Sequence, residues 1–205
     1  MIITRLQELE KSRIKVILDD EITFILSQKD MEQYDLREEA FLSDSVYSEI
    51  AWNILYPRAQ QKALSILKFS DRTEKELRDK LAQAEYPNEI TDRVLTYVKA
   101  YGYLNEERFA GTYIRARMNR KSKLMIKNEL LQKGIDRNIL DQVLQEEYSM
   151  EEGGKPSEDP ELTAIRKAID QKTKDPGKLT YEEKQKLIAS LYRKGFNLGK
   201  INQIL

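Results

Sequence analysis

The feature that most constrains the fold of this chain is an internal repeat in its later part. A shift of 49 residues places one set of apolar residues on another: Leu77, Leu81, Tyr86, Ile90 and Val94 fall on Ile126, Leu130, Ile135, Ile139 and Val143. A further shift of 61 residues extends the pattern: Ile126, Leu130, Gly134, Ile135 and Val143 fall on Leu187, Leu191, Gly195, Phe196 and Ile204. Such self-similarity is typical of tandem copies of one structural unit.

Each copy is predicted to contain a leading helix, a middle helix and a closing helix. Apolar residues four positions apart give each middle helix one face to bury. Thr73 and Glu76 have the spacing of a capping box before the first middle helix, and Thr180 and Glu183 repeat that spacing before the third. Residues suited to begin the closing helices follow each turn: Pro87, Asn88, Asp136 and Asn197.

The N-terminal residues follow a different pattern. Arg13–Leu18 and Ile22–Leu26 are rich in β-branched and aliphatic residues, which predicts two strands of a hairpin with acidic residues at its turn. Ile3–Leu9 is a candidate third strand, because two strands alone are marginally stable in water. The predicted fold class is therefore mainly α: three tandem three-helix repeats forming an elongated body, preceded by a small N-terminal module that contains a β-hairpin.

The chain is predicted to divide into five segments. They are an N-terminal module at 1–57, a first repeat at 58–104, a second repeat at 105–148, an acidic flexible linker at 149–160 and a third repeat at 161–205. The linker is predicted from its glycines, prolines and acidic residues in the stretch SMEEGGKPSEDP.

Composition argues against an enzyme. The chain has no cysteine and no histidine, which removes thiolate chemistry, the commonest general base and the usual metal ligands. It also lacks a glycine-rich phosphate-binding loop, so no cofactor is expected. The N-terminus lacks the apolar stretch of a signal peptide, and no run of eighteen apolar residues occurs, so a soluble cytoplasmic protein without membrane contact is predicted.

The charge of the chain is unevenly distributed although it sums to zero. Residues 1–57 carry 6 basic and 12 acidic side chains, whereas residues 162–205 carry 10 basic and 4 acidic ones. Between Arg108 and Asn128 there are seven basic residues and no acidic one. This run suits phosphates, an acidic protein surface or simple solvation of a helix face. The candidate contact residues are Arg115, Arg117, Arg120, Lys121, Lys123, Lys127, Lys184, Lys186, Arg193 and Lys194.

A group of aromatic residues surrounds the junction of the first two repeats. Its members are Tyr97, Tyr101, Tyr103, Phe109 and Tyr113. Aromatic rings beside basic residues can stack on the bases of single-stranded nucleic acid. Packing at the junction is the favoured interpretation, since large aromatic rings dominate buried contacts.

Three phrases of the sequence resemble the RecX family of recombination regulators: RTEKELRDKL, AYGYLNEERFA and IKNELLQKGI. A Ser or Thr that precedes Glu-Leu by three residues in the first repeat of that family corresponds to Thr73 before Glu76. A Gly-Tyr-Leu-Asn-Asp-like phrase opens its second repeat and corresponds to 102–106, where Glu106 replaces the Asp. The N-terminal phrases VILDDEITFIL and MEQYDLREE are similar to the extension of longer members.

The resemblance implies a protein that binds in the helical groove of RecA filaments on single-stranded DNA. It implies reduced ATP hydrolysis, strand exchange and repressor cleavage, hence a role in DNA repair and the SOS response, by a monomer that needs no cofactor. Two alternatives remain open from the residues themselves: a helical-repeat protein that binds single- or double-stranded DNA directly through its basic patches, and a helical scaffold.

Overall fold

The computed structural model of the chain describes residues 1–149, 159–173 and 175–205. These residues separate into two units, Met1–Asn105 and Glu106–Leu205. The predicted linker falls mainly outside the described residues. Of its predicted span, Ser149 ends one helix, and Asp159 caps the next, which begins at Pro160.

A three-stranded antiparallel sheet begins the first unit, with strands β1 (Ile3–Leu9), β2 (Arg13–Leu18) and β3 (Ile22–Ser27) in that order. The predicted hairpin and the candidate third strand are both confirmed. The β2–β3 turn contains Asp19 and Asp20, both with left-handed backbones, at φ 48° and 58°. Aspartate tolerates this conformation better than most residues, which explains how the turn forms without glycine.

The helices of the first unit follow the sheet. In chain order they are α1 (Gln28–Gln33), α2 (Asp44–Ile50), α3 (Tyr56–Phe69), α4 (Glu74–Ala82) and α5 (Asn88–Ala100). One hydrophobic core joins the buried face of the sheet, including Phe24 and Leu26, to the faces of α3, α4 and α5. The sheet and the first repeat therefore stabilise each other.

A widened helical turn at Ala51–Leu55 links α2 directly to α3. There the backbone N–H of Tyr56 bonds to the carbonyl of Ala51, five residues back instead of four. The next residue, Pro57, has no N–H to donate, and its ring would crowd the carbonyl of a regular helix. The wider turn makes room for it. The helical run thus continues through the position predicted as the end of the N-terminal module.

The second unit contains the helices of the second and third repeats. They are α6 (Glu106–Arg117), α7 (Lys123–Gln132), α8 (Arg137–Ser149), α9 (Pro160–Asp170), α10 (Tyr181–Arg193) and α11 (Leu198–Ile204). Thr180 forms the predicted capping box with Glu183. The three three-helix repeats are confirmed. Across the described ranges, no helix is long and apolar enough to cross a lipid bilayer.

The same left-handed turn ends the middle helix of every repeat. It is built on Glu85, Gly134 and Gly195, which the shifts of 49 and 61 residues superpose and which have φ of 60°, 89° and 82°. The N–H of the following residue bonds back to the helix in each case: Tyr86 to Leu81, Ile135 to Leu130 and Phe196 to Leu191, at 3.1 to 3.3 Å. This arrangement satisfies carbonyls at the helix end and brings the next apolar residue onto the core.

Glu85 is the exception among these turn residues, since a side chain at positive φ is strained. Its carboxylate accepts hydrogen bonds from Nζ of Lys15 on β2, at 2.8 Å, and from Oγ1 of Thr23 on β3, at 2.7 Å. These bonds join the first repeat to the sheet, and they offset the strain. They also favour the charged carboxylate, so the pKa of Glu85 lies below its usual value.

Replacing Glu85 by Ala is expected to lower the free energy of unfolding by about 1 to 3 kcal/mol, because both hydrogen bonds are lost while the strain remains. Glu85→Gly should recover about 1 kcal/mol of that loss, because glycine adopts this backbone freely. Urea unfolding of the three proteins measures both differences. Equal stability of the Ala and Gly variants would show that the left-handed backbone carries no cost.

The contribution of Glu85 is also expected to depend on pH. Because the pKa is lowered in the folded state, the stabilisation is present above the ordinary glutamate pKa and is lost as the pH falls through the lowered value. The difference in unfolding free energy between wild type and Glu85→Ala should therefore shrink on acidification.

The middle-helix leucines are expected to carry much of the stability. Leu130 on α7 is fully buried, whereas Leu124 on the same helix is 52% exposed. Leu130→Ala should cost about 2 to 5 kcal/mol of unfolding free energy, because it leaves a cavity. Leu124→Ala, the matched control, should cost less than about 0.5 kcal/mol. Denaturant unfolding distinguishes them, and a small loss at Leu130 would contradict the assigned core.

Candidate interaction surface

All ten predicted contact residues lie in the second unit, and several of them hold its helices together. Arg115 on α6 forms an ion pair with the buried carboxylate of Glu147 on α8. Lys127 on α7 forms one with Asp141, also on α8. Since a buried carboxylate is costly without a cation beside it, the Arg115 pair has a structural role.

A second group surrounds Glu129 on α7. Its carboxylate accepts hydrogen bonds from Lys121 and from the Tyr113 hydroxyl, the latter at 2.8 Å. Burial alone would raise the pKa of Glu129, but these bonds outweigh burial and the pKa is lowered. Arg117 covers the Tyr113 ring, with its guanidinium carbon 3.7 Å from the ring centroid. Both cations are therefore partly neutralised or covered.

Two further candidates contact groups within their own unit. Nζ of Lys123 lies 4.8 Å from the centroid of the Tyr148 ring, which places a cation over an aromatic face. Nζ of Lys184 donates to the carbonyl oxygen of Leu205 at 3.0 Å and so ties α10 to the end of α11. Lys123 thus contacts α8, whereas Lys184 contacts the end of α11.

The remaining four candidates are exposed. They are Arg120, Lys186, Arg193 and Lys194. Within the part of the chain that the structure describes, none of them lies within 4 Å of a carboxylate. Lys186 also interacts electrostatically with the Glu183 carboxylate. All four side chains are exposed, so a partner can reach their charges.

The structure brings Arg120, Lys121 and Lys194 together at a cleft of about 510 Å³ between the second and third repeats. Lys167, on α9, lines the same cleft and was not among the predicted residues. We call this the basic cleft. The other lining residues are Ser122, Met125, Ala168, Asp170, Gln171 and Phe196. Among these described residues, Asp170 is the one carboxylate against four cations, so the cleft attracts negative charge.

A hydrogen-bonded joint fixes one wall of the basic cleft. Ser122 is buried at the N-terminus of α7, where its Oγ accepts from the N–H of Met125 at 3.1 Å. The same hydroxyl donates to the carbonyl of Lys194 at 2.6 Å, in the turn after α10. A Cβ on Gly195 would lie 3.0 Å from Oγ of Ser122, so the turn approaches α7 as closely as glycine allows. The second and third repeats are thus joined at this point.

Exposed apolar side chains surround a groove beside the same turn. Leu124, Tyr192 and Leu198 are 52%, 62% and 47% exposed. They line the groove together with the turn residues Gly195 and Phe196, and we call it the apolar groove. Its other lining residues are Arg193, Asn197 and Gly199. Sequence reasoning did not single out these three residues, because an isolated apolar residue reads as either core or surface until its neighbours in space are known.

The aromatic group near residue 100 is only partly buried. Tyr97 packs against the core of the first unit, and Phe109 and Tyr113 pack against the core of the second. Tyr101 and Tyr103 are 66% and 47% exposed, and the Tyr101 ring lies 4.6 Å from that of Tyr97 and 6.4 Å from that of Tyr103, centroid to centroid. Gly102, at φ 69°, lies between Tyr101 and Tyr103 in the turn that ends α5, where the N–H of Tyr103 bonds to the carbonyl of Val98. Packing of this group at the junction of the first two repeats stays a prediction.

Three three-helix repeats, the second and third of which form a basic cleft, define a helical-repeat protein. Profiles of known families match the same three regions. The first RecX three-helix domain matches residues 59–97, the second matches 105–144 and the third matches 159–205. The chain belongs to the RecX family.

The sequences of individual relatives match this chain over nearly its whole length. The regulatory protein RecX of Finegoldia magna is 31% identical over 199 residues, which span 95% of this chain and 93% of that protein. The regulatory protein RecX of Clostridium acetobutylicum is 28% identical over 202 residues, 97% of this chain and 91% of that protein. A crystal structure of a regulatory protein RecX has the same fold, with a TM-score of 0.64, 22% identity and coverage of 99% and 98%.

Gly195→Ala is expected to destabilise the joint between the second and third repeats. The substitution forces a side chain into a left-handed backbone, at about 1 to 2 kcal/mol, and into contact with Ser122. Gly102→Ala is the matched control, because φ is 69° there and no atom lies within 4 Å of the added Cβ. The Gly195 variant should lose more unfolding free energy in urea than the Gly102 variant. Equal losses would mean that the close approach adds nothing.

Proposed function

We propose that this chain is a regulator of the RecA recombinase that acts by binding the recombinase and its filament on DNA, and that catalyses no reaction itself. Two observations support the proposal. The chain belongs to the RecX family, and relatives that match nearly its full length are named regulatory proteins. The observation that carries most weight in the structure is the basic cleft, where cations from two repeats meet against one carboxylate.

Among the ten candidate residues, we assign different roles to two groups. Arg120, Lys186, Arg193 and Lys194 are assigned to contact with the partner, since their charges are available. Cations already held by carboxylates or rings, such as Arg115 and Lys127, position the helices that carry the others. Electrostatic complementarity of this kind mainly sets association rate and specificity.

Binding alone suffices for the proposed regulation. A protein that binds one conformation of a filament more tightly than another shifts the population toward that conformation. ATP hydrolysis, strand exchange and repressor cleavage by the filament would then change together. We place this action in the cytoplasm, during DNA repair and the SOS response, and we assign it to a monomer without a cofactor.

The direct test is ATP hydrolysis by the cognate recombinase on single-stranded DNA, with and without this protein. The rate should fall as the protein is added, and the effect should weaken as salt is raised, because screening reduces attraction between exposed charges. The protein alone, incubated with ATP and DNA, should leave both unchanged. An unaffected recombinase rate at low salt would contradict the proposed function, and hydrolysis by the purified protein alone would contradict the assignment to a non-enzyme.

A further inference from the structure

We propose that the basic cleft and the apolar groove form one composite docking surface for a protein segment that carries an acidic side chain next to an apolar one. The inference rests on the proposed function, and it locates the contact with the recombinase at the meeting point of the second and third repeats.

The two halves of this surface are continuous. The turn after α10 contributes Lys194 to the basic cleft, Gly195 to the apolar groove and Phe196 to both. The start of α7 does the same, with Ser122 on the basic side and Leu124 on the apolar side. A segment that crosses this turn would therefore meet positive charge first and apolar surface next.

The charge of the basic cleft selects an anionic group. Lys121 already pairs with Glu129. The cleft then has three other cations, Arg120, Lys167 and Lys194, against the single carboxylate of Asp170. A guanidinium presents two parallel donors that match a carboxylate, and a lysine adds a point charge. One or two acidic side chains would satisfy this half of the surface.

The apolar groove decides between a protein and a nucleic acid as the occupant. Leu124, Tyr192 and Leu198 expose large apolar areas, whose burial is favourable only against another apolar group. A single-stranded nucleic acid can stack a base on Tyr192, but it offers nothing for the two leucines, whereas a protein segment alternates both kinds of side chain. Arginine and tyrosine within one patch are also typical of residues that dominate protein interfaces.

The joint between the repeats makes the surface rigid before binding. The Ser122–Lys194 hydrogen bond and the close approach of Gly195 hold the two halves in one arrangement. A partner therefore loses less binding free energy to the ordering of this surface.

The experiment compares three double variants of the full chain. The basic pair is Arg120→Glu with Lys194→Glu, and the apolar pair is Tyr192→Ser with Leu198→Ser. The control pair, Arg137→Glu with Lys178→Glu, makes the same charge change at exposed positions of the second unit that line neither cleft nor groove. Each is measured for affinity to the cognate recombinase without DNA and to a single-stranded oligonucleotide without recombinase.

Both the basic pair and the apolar pair should weaken binding to the recombinase at least about tenfold, as interface hot spots do. The control pair should bind like wild type, and the apolar pair should leave oligonucleotide binding unchanged. If the apolar pair binds the recombinase like wild type, the docking surface is wrong. If the basic pair weakens binding to the oligonucleotide but leaves binding to the recombinase unchanged, the cleft is a phosphate site instead.

A second measurement tests the docking surface without the double variants, in case these fold poorly. The photoreactive residue p-benzoylphenylalanine at Tyr192 should cross-link to an acidic segment of the recombinase, whereas the same residue at Tyr181, which is 78% exposed, should not. Wild-type binding without a cross-link from position 192 overturns the docking surface and leaves the proposed function standing. Absence of wild-type binding to the recombinase overturns both.

Discussion

The left-handed turn after each middle helix is the constraint on which the rest of the structure depends. It returns an N–H to the end of the helix and brings the next apolar residue, Tyr86, Ile135 or Phe196, onto the core of its own repeat. Without this reversal the closing helix would leave the core exposed. The repeat of the sequence is thus a repeat of one backbone geometry as much as of apolar residues.

Two of the three turns also connect structural modules. In the first repeat the turn residue is Glu85, whose carboxylate bonds to the N-terminal sheet. In the third repeat it is Gly195, which lets the turn approach Ser122 of the second repeat. The same left-handed turn therefore ends the middle helix and also contacts a neighbouring module. Glu85 makes that contact through its side chain, whereas Gly195 makes it through its lack of one.

The fold could be predicted largely from the sequence because its signals are local. Apolar spacing marks a helix face, caps such as Thr180 mark its start, and β-branched residues mark the strands. The site could be predicted only in part, because its charges are set by partners distant along the chain. The basic run between Arg108 and Asn128 contains no acidic residue, yet carboxylates on α7 and α8, such as Glu129 and Glu147, neutralise part of it. Lys167 joins the cleft through packing of α9, which no local pattern indicates.

We propose that this protein regulates by binding through the surface where its second and third repeats meet. Hydrogen–deuterium exchange, measured with and without the cognate recombinase filament, tests it most directly, because main-chain protection reports the contacted segments without any substitution. We expect slower exchange at 120–125 and 192–198, with little change in the N-terminal sheet at 3–27. Protection confined to that sheet, with unchanged exchange at both segments of the second unit, would contradict it.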